Sequence, residues 1–67
     1  MVNDKEIRKR MIDCGINSTK LADKCGVSTS AISNVLNHKS GISFSLAEKM
    51  QKALDIPDEE FTHYFMA

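Results

Sequence analysis

Residues 18–37 read STKLADKCGVSTSAISNVLN, two short amphipathic segments separated by one glycine. In the first, Leu21, Ala22 and Cys25 recur at helical spacing, which predicts a helix opened by Ser18 as its N-cap. Gly26 follows at once. Glycine takes a positive φ without penalty, so the chain can reverse there and turn Val27 inward. Ser28 is the next N-cap, and a second helix runs from about Thr29 to Asn37. Ala31, Ile32, Val35 and Leu36 form one stripe of it, and Thr29, Ser30, Ser33, Asn34 and Asn37 form the other.

The polar stripe holds only hydroxyls and amides. A solvated helix face ordinarily carries Lys and Glu, which are better helix formers. Serine, threonine and asparagine weaken an exposed helix by roughly a few tenths of a kcal/mol each. Base edges in a major groove would give them a use. Asparagine pairs bidentately with adenine N6 and N7, hydroxyls donate or accept, and a threonine methyl can meet a thymine methyl. The plain alternative is a polar face that happens to be uncharged.

The rest of the chain predicts more helices and few strands. Length supports one domain over residues 1–67, and 42% hydrophobic content is ordinary for a globule. A first helix runs from about Asp4 to Cys14, with Ile7, Met11 and Cys14 on one face, and ends at Gly15. Ser45 and Glu48 form a capping-box pattern before Leu46, Ala47, Met50, Ala53 and Leu54. After Pro57, a last helix spans about Asp58 to Phe65, with acids in its first turn. Phe61 and Phe65 are expected to close the core, leaving Tyr64 and Met66 near the surface for a dimer or partner contact.

Net charge is zero, but its distribution is uneven. Residues 1–16 and 17–45 are mildly basic, while residues 46–67 carry Glu48, Asp55, Asp58, Glu59 and Glu60 against Lys49 and Lys52. An anionic partner therefore suits the first two-thirds. Lys5, Arg8, Lys9 and Arg10 read as a solvated face, from which Arg10 is a candidate to reach DNA. Cys14 and Cys25 fit no zinc spacing and read as small core residues. His38 and His63 lack a paired nucleophile or metal-ligand spacing, so neither catalysis nor a cofactor or metal is expected. No run is apolar enough for a membrane span and no signal peptide is visible, so a cytoplasmic location is expected.

The spacing of Leu21-Ala22, Gly26-Val27-Ser28, Ala31-Ile32 and Asn37 resembles the helix-turn-helix of the phage repressor and Cro-type family, also called Xre-type. With the five-helix order, the resemblance covers nearly the whole chain. It implies a compact all-α, lambda-repressor-like domain that binds double-stranded operator DNA, usually as a homodimer, with the second motif helix in the major groove. By that resemblance Thr29, Ser30 and Asn34 are base-reading candidates, with Ser33 beside them. Asn17 and Ser18 match positions that touch phosphate, and Asn37, His38, Lys39 and Ser40 match a loop beside the opposite phosphates. The glutamine or arginine that many members carry on the reading face is absent, and Lys39 is the only cation in the loop. Two rival readings keep the fold: an antitoxin with a toxin partner, and a module that binds another regulatory protein.

Overall fold

Four helices begin on the same two-residue signal, an apolar residue followed by a capping one: Val2-Asn3, Ile16-Asn17, Val27-Ser28 and Ile42-Ser43. The computed structural model, which describes residues 2–66, places a helix after each pair: α1 (Asp4–Asp13), α2 (Ser18–Cys25), α3 (Thr29–Leu36) and α4 (Phe44–Ala53). Each capping oxygen accepts the backbone N–H three residues on. Glu6 donates to Asn3 at 3.5 Å, Lys20 to Asn17 at 2.8 Å, Ala31 to Ser28 at 3.1 Å and Leu46 to Ser43 at 3.1 Å. The apolar residue of each pair packs on the core, and so does the residue five positions later: Ile7, Leu21, Ile32 and Ala47. That is the spacing of a hydrophobic staple.

The staple corrects two expected helix starts. Asn17, not Ser18, caps α2, and Ser43, not Ser45, caps α4. Capping at Ser18 would have set Asn17 against Ala22, and capping at Ser45 would have set Phe44 against Lys49. Neither pair makes an apolar staple, whereas Ile16 with Leu21 and Ile42 with Ala47 do. The box between Ser45 and Glu48 does not form.

The four helices also end alike. The N–H of the turn residue bonds three residues back and the next N–H five back, a Schellman motif. The donors are Gly15 and Ile16, Gly26 and Val27, His38 and Lys39, and Asp55 and Ile56. All four turn residues have positive φ, from 55° to 69°. Two arginines of α1 then cap other helices, their charge suiting a helix C-terminus. Arg8 donates to Leu36 O at 3.3 Å, and Arg10 donates to Leu54 O at 2.9 Å and to Asp55 O. Arg10 is thereby committed to the end of α4, which corrects its reading as part of a solvated face and removes it as a candidate to reach DNA.

Ile7, Leu21, Ile32, Leu36, Met50 and Leu54 are fully buried at the centre. α2 packs on both α3 and α4. The chain closes with a short 3-10 turn (Asp58–Glu60) running into α5 (Phe61–Phe65), which packs on α1. The N–H of Asn3 donates to Tyr64 O at 2.8 Å, fastening the two ends.

Two core assignments change. Cys14 is exposed, because α1 stops at Asp13 and Cys14 lies in the turn, its thiol 3.6 Å from Leu54 O. Cys25 is buried, and burial pushes its thiol above its ordinary value. In α5 one expectation fails, the surface position of Tyr64, while Phe61, Phe65 and Met66 lie as expected. Tyr64 and Phe65 are buried, Phe61 is half-buried and Met66 is exposed. The tighter 3-10 turn shifts the phase of the segment, and docking on α1 draws Tyr64 inward.

Candidate nucleic-acid interface

α2 and α3 are joined by three residues, Gly26, Val27 and Ser28. Gly26 stands at φ 69° and ψ 31°, and a Cβ there would meet nothing within 4 Å. The requirement for glycine is thus one of backbone conformation, not of space. Val27 packs partly into the core and Ser28 starts α3. The turn therefore fixes the angle between the helices and leaves one face of α3 uncovered.

On that face Thr29, Ser30 and Asn34 are exposed and Ser33 is half-buried, while Ile32, Val35 and Leu36 are buried opposite. The two expected stripes are both present. The outer one offers hydrogen-bonding groups with short side chains, which allow a helix backbone to approach a partner closely.

The starts of α2 and α3 share an open groove of about 660 Å³, whose polar lining is Asn17, Thr19, Lys20, Asp23, Ser28 and Thr29. Asn17 uses its amide oxygen as the cap of α2 and keeps an amide N–H₂ as a donor. Ser18 is half-buried in the first turn of α2. Free N–H groups of two helix starts, with the Lys20 ammonium, give this groove donors for an anion. Thr19 and Lys20 were not anticipated. A cap at Ser18 would also have put both in the first turn of α2, so only the groove brings them to notice.

At the other end of α3 the loop residues divide. Asn37 donates to Ser33 Oγ at 3.2 Å and accepts from Arg8 at 3.0 Å. His38 Nε2 lies 3.0 Å from Asp4 Oδ1. That hydrogen bond is the main reason the Asp4 carboxyl titrates below its ordinary value, with Arg8 adding to it. Lys39 and Ser40 are exposed, and their backbone N–H groups both point to Asn34 O, at 2.8 and 3.4 Å. The candidate DNA contacts thus fall into three places: the outer face of α3, the start of α2 at the groove, and the loop after α3, with Tyr64 and Met66 apart from them at α5.

A separate apolar surface lies around the start of α4. Phe44 is 69% exposed and meets Phe61 edge-on, with ring centroids 5.8 Å apart. Met66 is 63% exposed and lines the same hollow. Among the described residues no group of three His, Cys, Asp or Glu side chains could hold a metal ion, and no helix is long and apolar enough to cross a membrane.

The comparisons bear on the fold. Virulence-associated protein A' of Dichelobacter nodosus is 38% identical to the chain over 55 residues, which is 82% of this chain and 48% of that protein. The chain thus spans about half the length of the curated relative it matches. No solved structure matches the chain. A family model described as Helix-turn-helix matches residues 5–61, which takes in α1 to α4 with the turn at Gly26. The chain belongs to the helix-turn-helix family of the repressor and Cro (Xre) type, a family of DNA-binding regulatory domains.

Proposed function

We propose that this chain is a sequence-specific DNA-binding transcriptional regulator, a Cro- or repressor-like protein of a phage or mobile element. It acts as one domain in the cytoplasm and occludes a promoter by occupying two half-sites of double-stranded operator DNA. α3 lies in the major groove, where Thr29, Ser30, Ser33 and Asn34 meet base edges. Asn17 and Ser18, joined by Thr19 and Lys20, hold phosphates on one side. Lys39 and Ser40 hold those on the other, with Asn37 and His38 shaping that loop.

The observation that carries the reading is the outer face of α3, exposed and built only of short uncharged donors and acceptors. The interrupted pattern at Lys39 supports it. The residue after the positive-φ position is apolar and packed inward at Ile16, Val27 and Ile56, but at the end of α3 it is an exposed lysine. The test is a gel shift against the chain's own upstream DNA at two salt concentrations. A specific band that weakens with salt is expected. Equal binding to upstream and unrelated DNA would contradict the reading.

The apolar surface at Phe44, Phe61 and Met66 favours a second reading, a module that binds another regulator or a toxin. On either reading Met66 with Phe44 is the contact for a second copy or partner, and Tyr64, being buried, is not part of it. Sedimentation of wild type and a Phe44→Ala, Met66→Ala variant separates the cases. A dimer lost in the variant favours the homodimer. A monomer in both, with a partner protein bound only by wild type, favours the module.

A further inference from the structure

A chain of hydrogen bonds runs from α1 into the outer face of α3. Arg8 Nε is 3.4 Å from Asp4 Oδ2, and Arg8 Nη2 donates to Leu36 O and to Asn37 Oδ1. Asn37 Nδ2 then donates to Ser33 Oγ at 3.2 Å. The direction of this chain is forced by chemistry. A guanidinium only donates, so the Asn37 oxygen must face Arg8 and its N–H₂ must face Ser33. One acceptor position of the Ser33 hydroxyl is therefore filled. The donated bond also polarises the hydroxyl, making it a better donor and a poorer acceptor.

We propose that Arg8, acting through Asn37, is a positioning residue that fixes Ser33 as a hydrogen-bond donor toward DNA. This rests on the reading of α3 as the base-contacting helix and names what Ser33 selects. The base edge it favours presents an acceptor, as at N7 of a purine or O4 of thymine, over the amino group of cytosine, which could use only the one lone pair left. Arg8 touches no base in this arrangement. It sets specificity by orienting a neighbour.

Asn37→Asp makes the sharpest test. Aspartate still accepts from Arg8 but cannot donate to Ser33. The Ser33 proton must then turn to the carboxylate, leaving lone pairs outward. Wild type, Ser33→Ala, Asn37→Asp, Arg8→Met and Asn34→Ala are each used to select sites from a pool of randomised duplexes, after circular dichroism confirms folding. Ser33→Ala should erase preference at one base pair by about fivefold or more. Asn37→Asp should shift that same base pair toward an edge that donates, whatever its effect on total affinity, and Arg8→Met should relax it. Retention of the wild-type preference in Asn37→Asp would overturn the proposal. So would an unchanged preference in Ser33→Ala, and if Asn34→Ala still relaxes a position, base reading by α3 survives that loss. A second readout needs no DNA. The Asn37 side-chain amide signals in nuclear magnetic resonance should move and exchange faster in Arg8→Met, and identical signals would refute the relay even if no selected site is found.

Discussion

The turns that end α2 and α3 follow one backbone path with different residues. After α2 the positive-φ position is Gly26 and the next residue, Val27, packs inward. After α3 the positive-φ position is His38 and the next residue, Lys39, faces out. A non-glycine residue in that region costs of order 1 kcal/mol. The first turn avoids that cost and adds apolar burial. The second bears it, leans on the contact between His38 and Asp4, and gives up an apolar anchor. The first serves the fold. The second presents a cation and free loop residues at the end of the helix proposed to read bases.

Substitutions should separate the two turns. The largest effect is expected at Gly26→Val, which forces a β-branched residue to φ near 69° and should cost about 1–3 kcal/mol. Thermal melting checks it, and an unchanged midpoint would remove the distinction. Next, Val27→Ala should cost about 1 kcal/mol for the lost methyl groups, while Lys39→Ala should change stability by less than about 0.5 kcal/mol. The same Lys39→Ala should weaken binding to all DNA sequences and lower the slope of log affinity against log salt by about 0.9. An equal loss of stability in both variants would show that the two positions do the same work.

The smallest effect is expected at His38→Gly, where relief of backbone strain opposes the lost contact to Asp4. Its melting midpoint should stay within about 2 °C of wild type at neutral pH. The pH dependence has a definite sign. Asp4 is held below its ordinary 3.8 in the folded chain, so its contribution is present above that value and disappears as pH falls through the folded value. In acid the wild type should therefore lose stability relative to the variant, whose relief of backbone strain is then unopposed. Parallel curves would detach His38 from Asp4.

The helices, the core stripe and the turn at Gly26 were legible because periodicity and glycine chemistry are local. The helix starts at Asn17 and Ser43 were less so. Two capping residues stand near each start, and the choice depends on which neighbouring apolar residue reaches the core. Cys14-Gly15-Ile16-Asn17 and Cys25-Gly26-Val27-Ser28 share one pattern, and reading them together would have placed the cap of α2. Even so, one cysteine is exposed and the other buried, because only Cys25 lies in a helix packed on two others. The expected surface position of Tyr64 failed for a non-local reason, the docking of α5 on α1. The ties from Arg8 to Asn37 and from Asp4 to His38 span 29 and 34 residues, beyond any local pattern. For the interface, the exposed stripe of α3 was visible as spacing, whereas Thr19 and Lys20 became visible only with the groove.

The central claim is that the uncharged face of α3 reads bases, and Asn34 is its best-placed amide. Site selection from randomised duplexes with wild type and Asn34→Ala measures this directly. Wild type should recover a defined site, and the folded variant should lose about 1–3 kcal/mol of preference at one base position while keeping the others. Recovery of the same site by both proteins, at equal preference throughout, would contradict it.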